Sequence, residues 1–203
     1  MMETDEFKFL VDKAMESGCR DVKIIPSSEV VVEDRVRLKC LVGCPNYGNN
    51  LKCPPYTPKV DEFRKILSEY EKVMIIKFDT DQIKSHNDQL ITEMVDAPEM
   101  KLNTEEYSQV KELWMSSYRK MLTLLLNLEK LAFDGGFTFA TAFFGGSCQL
   151  CEVCNVEEGT CLNPTMARFA CEAMGINLMK TAENTQIDLT FKNPAAVAIL
   201  LID

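Results

Sequence analysis

The chain has 203 residues, 31 acidic against 22 basic, and a net charge of −9, which argues against a nucleic-acid surface, since gripping phosphates requires concentrated Lys and Arg. No apolar run approaches the roughly 20 residues needed to cross a bilayer, and the opening Met-Met-Glu-Thr-Asp-Glu lacks the basic-then-apolar order of a signal peptide. A cytoplasmic protein is expected, one domain over residues 1–203, with neither membrane nor nucleic acid among its partners and an oligomeric state that is not legible.

In chain order, Glu6 to Ser17 carries Phe7, Leu10, Val11, Ala14 and Met15 at helical spacing and is stopped by Gly18. Val22 to Pro26 reads as a short strand, with Cys19 as a packed thiol beside it, and Val30 to Val32 as another. Val60, Phe63, Ile66, Leu67 and Tyr70 form one helical stripe, with Asp61 and Glu62 near the helix start. Lys72 to Phe78 is too short for a buried helix and rich in β-branched residues, as a central strand is. The polar stretch from Asp79 to Asn103, including the solvated His86, reads as a long connection.

From a Thr104 cap, Tyr107, Val110, Trp114, Tyr118, Met121, Leu125 and Leu128 keep three-and-four spacing through Leu131, predicting one long helix whose stripe packs into the core; Gly135-Gly136 ends it. Phe137 to Phe144 reads as a strand, Thr165 to Met174 as a helix containing a core Cys171, Leu178 to Glu183 as a short helix, and Ala195 to Ile202 as a strand well inside the sheet. The fold class is α/β or α+β, a sheet of about four to five strands packed with helices, the cysteine-rich loops gathered at one end.

Nine cysteines in a reducing compartment read as metal ligands before disulfides, and one histidine leaves His-based zinc, haem and triad chemistry almost without material. Seven of the nine fall in two loops, at 40–56 and 145–161. The downstream loop reads Cys148-x2-Cys151-x2-Cys154-x6-Cys161, and three thiolates at that spacing wrap successive corners of an iron-sulfur cube while the intervening amides turn onto its sulfides. A structural zinc site is the alternative. The upstream loop holds Cys40, Cys44 and Cys53, with Pro45 and Pro54 each removing a backbone donor and Gly43 and Gly48 permitting turns. Arg35, Arg37, Lys39 and Lys52 stand near it, either as a solvated face or as charges balancing an anionic cluster.

These stretches resemble an uncharacterised prokaryotic family of predicted metal-binding proteins, a domain of unknown function. The resemblance is carried by Arg37-Leu38-Lys39-Cys40, Gly43 to Gly48, Cys53 to Tyr56, Gly146 to Cys154, Cys161, and Met174-Gly175-Ile176. It spans nearly the whole chain and implies metal binding without a reaction.

Three functions follow as expectations. One is a 4Fe-4S protein, with one or two clusters, that passes electrons to a redox partner protein. Another is an enzyme in which an iron lacking a cysteine acts as Lewis acid. The third is a zinc-stabilised binding module. The six residues between Cys154 and Cys161 are enough to return, so Cys161 is expected to complete the cube of Cys148, Cys151 and Cys154. Cys40, Cys44 and Cys53 then hold a second cube with one iron open; the alternative gives Cys161 to the upstream group. Neither Gly-x-Gly-x-x-Gly nor a Walker sequence occurs, and no acid–base pair is identifiable.

Overall fold

A computed structural model describes residues 6–79, 105–189 and 195–202. Its helices are α1 (Lys8–Glu16), α2 (Leu38–Leu41), α3 (Val60–Leu67), α4 (Glu105–Asp134) and α5 (Leu178–Asn184); its strands are β1 (Cys19–Pro26), β2 (Lys72–Phe78), β3 (Thr141–Phe144), β4 (Phe169–Ala170) and β5 (Val197–Ile202). Among the described residues, no helix is long and apolar enough to cross a membrane. The expected Thr104 cap, His86 and most of the polar connection lie outside the described residues.

The fold is α+β, a five-stranded mixed sheet in the order β1-β2-β5-β3-β4. The first four strands in that order pair antiparallel, and the β3–β4 pair is parallel. β5 therefore lies at the centre, with Ile199 opposite Ile75 on one side and Phe143 on the other. Every residue of β5 is buried, as its uninterrupted apolar run predicts for a strand covered on both faces.

Alternation divides the core by face. Met74, Ile76, Phe78, Ala198, Leu200, Ile202, Ala142 and Phe144 point to one side, where α1 supplies Leu10 and Ala14 and α4 supplies Tyr118, Leu122, Leu125 and Leu128. Burial of each such leucine stabilises by about 1.5–3 kcal/mol. Val73, Ile199, Leu201 and Phe143 point to the other side, against Phe63 and Leu67 of α3 and the Ala173–Met174–Ile176 segment. The Phe63 and Phe143 rings meet edge to face at 5.4 Å.

Three sequence expectations are corrected. Thr165 to Met174 is not a helix: it is a turn, then β4, then a 3-10 turn at Glu172–Met174. Tertiary bonds capture this backbone before a helix can close, since the Ala170 N–H donates to Lys52 O at 3.3 Å and the Cys171 N–H to Phe144 O at 2.9 Å. Val30 to Val32 makes only the isolated bridge of Val32 with Ile176. The strand expected from Phe137 begins at Thr141, because Phe137 to Ala140 is held in turns that end α4.

β3 and β4 run side by side and end together. The chain leaves β3 through Gly145, whose N–H donates to Val197 O at 2.8 Å and where a Cβ would sit 2.7 Å from that oxygen, so only glycine fits. β3 thus opens into the downstream cysteine loop, and β4 runs on into Cys171 and the 3-10 turn at Glu172–Met174.

Candidate metal centre

The upstream thiols are set by short, tightly tied pieces of chain. A 3-10 turn at Asp34–Arg37 runs directly into α2, so Cys40 sits on a helical turn where the sequence predicted loop. Arg37 anchors this turn, donating to Ala173 O at 2.7 Å and Pro58 O at 3.4 Å. Cys53 lies in a turn closed by its own N–H to Asn50 O at 2.9 Å and by the Tyr56 N–H to Cys53 O at 3.1 Å. The peptide bond between Pro54 and Pro55 is cis. Cys53 is buried while Cys40 and Cys44 are half-buried.

Burial, then the nearby Cys44, Cys40 and Cys148 thiolates and the Glu172 carboxylate, push the Cys53 thiol up to about 12. Burial and the charge of Cys44 also raise Cys40, against the lowering effect of Arg37. Without a metal these thiols favour the protonated form, and binding must release protons. Thr57, four residues beyond Cys53, carries a buried hydroxyl oxygen that has no hydrogen-bond partner among the described residues.

The downstream loop is irregular. Cys148, Cys151, Cys154 and Cys161 line one cavity together with Asn50, Leu51, Lys52 and Asn163. The structure therefore places Cys161 on the same cavity as its three predecessors. Donors are aimed at the sulfurs: Asn163 Nδ2 lies 3.1 Å from Cys151 Sγ, and the Leu51 N–H donates to Cys154 Sγ at 3.4 Å. Burial raises the Cys148 thiol, opposed by the Leu150 N–H and the Tyr118 hydroxyl, both donating to its sulfur. The Tyr118 hydroxyl is itself pushed well above its usual range, by burial and then by the Cys148 charge. Among the described residues, no three Cys, His, Asp or Glu side chains gather as tightly as one bare ion requires; the four thiols line a shared cavity instead of meeting at a point.

The two loops touch. Asn50 Nδ2 donates to Cys148 O at 3.0 Å, and the Leu51–Cys154 bond bridges the same seam. All nine cysteines are free thiols. Cys19 and Cys171 are packed in the core, 5% and 0% exposed, and burial raises both, Cys19 to about 11. A cavity of about 760 Å³ between α1 and α4 holds no cysteine, so chemistry and not volume marks the site.

The four nearby cations part company. Arg35 is held by Glu33, at 2.9 Å from each carboxylate oxygen, and the Lys52 ammonium lies 5.0 Å from the centre of the Phe169 ring. Lys39 lines an open groove with Leu38, Val42, Gly43 and Cys44, which leaves Arg37 as the cation whose charge acts on Cys40.

Several residues of the site carry no signal in the sequence. Asn163, the Leu51 amide, Glu172 and the half-buried Arg168–Glu129 ion pair act across distant parts of the chain. Glu129 also accepts the Ala142 N–H at 2.7 Å, so this pair pins α4, β3 and the segment following Cys161 together. The stripe predicts Tyr118 as core packing; it is buried, and its hydroxyl also reaches Cys148. A composition cue existed for Tyr118 alone, since a buried tyrosine needs a partner for its hydroxyl.

A family described as predicted metal-binding protein (DUF2284) matches residues 23–202. No curated protein and no solved structure matches the chain.

Proposed function

The chain belongs to that family of predicted metal-binding proteins, and we propose that the metal is iron, in 4Fe-4S clusters. Cys148, Cys151, Cys154 and Cys161 hold one cluster; Cys40, Cys44 and Cys53 hold a second, whose fourth position is left to a non-cysteine ligand. The observation that carries this reading is the common cavity of the four downstream thiols, with amide donors aimed at two of the sulfurs. The donor set fits such a group: the thiols are free, N–H groups point at sulfur, and the buried Thr57 hydroxyl beside the upstream loop awaits an acceptor.

Bound clusters of this kind supply one-electron transfer, which makes a redox role with a protein partner the preferred function. The chain's own contribution is to shape the site. Asn163 and the Leu51 amide stabilise thiolate charge on Cys151 and Cys154, Tyr118 does so on Cys148, and Arg37 on Cys40. The open groove beside Cys44 favours a second reading, an enzyme whose incompletely ligated iron meets substrate there. A cytoplasmic location accords with the all-thiol set.

Colour and single substitutions test the proposal. Anaerobically purified protein is expected to be brown, and Ser at Cys148, Cys151, Cys154 or Cys161 to remove one cluster, whereas Ser at Cys19 or Cys171 leaves iron content unchanged. A colourless protein that carries zinc, insensitive to these substitutions in its iron content, contradicts it.

A further inference from the structure

The geometry points to Glu172 as the fourth, non-cysteine ligand of the upstream group, one carboxylate oxygen completing what Cys40, Cys44 and Cys53 leave open. The inference rests on the iron-sulfur reading of those three thiols.

Three hydrogen bonds converge on the segment around Glu172. The residue after it, Ala173, accepts from Arg37, three positions before Cys40. Two residues before it, the Ala170 N–H donates to Lys52 O, next to Cys53. Its own Oε2 accepts the Gly146 N–H at 2.9 Å, at the mouth of the downstream loop. The carboxylate is therefore held in the seam between the two cysteine groups through Oε2, while Oε1 makes no hydrogen bond among the described residues and is left for a metal. Its charge is felt by both Cys40 and Cys53.

The backbone here is fixed. Gly175 closes the 3-10 turn at φ +82°, and a Cβ there would lie 2.9 Å from Val60, so the turn packs closely on α3 and only glycine fits.

Electrostatics favours this role over a passive one. A carboxylate gathered with three thiols concentrates negative charge in one seam. With a cationic iron–sulfide core between them the same charges become ligands, and three thiolates plus one carboxylate carry the anionic charge of an ordinary four-cysteine set. A carboxylate is also a weaker ligand for iron than a thiolate, which makes this corner the exchangeable one.

The test uses the full chain, loaded anaerobically with iron and sulfide, in the wild type, Glu172→Gln and Glu172→Cys. Gln keeps the acceptor for Gly146 but not the anion. After mild oxidation, Glu172→Gln is expected to lose about one iron per chain and to gain the electron paramagnetic resonance signal of a three-iron cluster, while Glu172→Cys retains its iron better than the wild type. An iron count and spectrum unchanged in Glu172→Gln overturn the inference alone. Loss of the downstream cluster in that variant also overturns it, because the carboxylate would then serve only to hold the Gly146 turn. A wild type that takes up neither iron nor labile sulfide overturns the underlying reading, and this inference with it.

Discussion

The two cysteine groups reach a similar end by opposite means. Upstream, the thiols sit on tightly bonded turns and a short helix, and burial and mutual repulsion push Cys40 and Cys53 towards the protonated form. Downstream, the backbone is irregular, all four cysteines are half-buried, and hydrogen-bond donors from Asn163, Leu51, Leu150 and Tyr118 face three of the sulfurs. The difference teaches that a thiol set can be prepared either by a rigid backbone that awaits the metal's charge or by donors that accept thiolate beforehand. On the proposed reading, the upstream group depends more on the metal and the downstream group more on its hydrogen bonds.

Substitution of a ligand is the strongest way to break the comparison. Cys53→Ser and Cys151→Ser are each expected to remove one cluster and spare the other, reading as half the iron of the wild type. Loss of both from either change would show that the two groups share one centre.

Next in size is the ion pair that supports the downstream side. Arg168→Ala leaves Glu129 half-buried beside Ala142 without its guanidinium, and is expected to cost about 1.5–3 kcal/mol in urea unfolding. Downstream iron should be lost more readily than upstream iron in this variant, and equal loss would deny the pair its local role.

Asn163→Ala sharpens the claim about donors. With its N–H···S bond to Cys151 removed, metal retention by the downstream group against a chelator is expected to fall about 10–100-fold, with the fold unchanged. Retention equal to the wild type would mean that the donor is ornamental.

The smallest effect is a pH dependence on the upstream side. Glu33 accepts from Arg35, Lys180 and Asn177, and these bonds, that to Arg35 foremost, lower its carboxyl from 4.5 to about 2. Because the folded-state value is depressed, the stabilisation is complete above about 4.5 and disappears as pH falls towards 2. Glu33→Gln should flatten the dependence of Tm on pH across that window, and an unaltered slope would contradict the assignment.

Much of this was written in local pattern. The central place of β5 followed from six successive apolar residues, and α3 and α4 from their stripes. What the pattern misread was decided by contacts distant in sequence. Phe169 and Ala170 have no strand signature strong enough to outweigh a helical reading; pairing with β3 and the Lys52 carbonyl makes them a strand. Glu172 lies in a stretch that the pattern reads as helix, and its position in the seam exists only because Arg37, Gly146 and Lys52 converge on its segment. Asn163, likewise, is an ordinary turn residue until Cys151 is brought to its amide.

The most direct test of the account is the count of iron and acid-labile sulfide per chain in anaerobic wild-type protein. The account predicts iron and sulfide in equal amounts, about four of each per cluster and approaching eight of each when both groups are filled. Zinc at one or two per chain with no labile sulfide would contradict it.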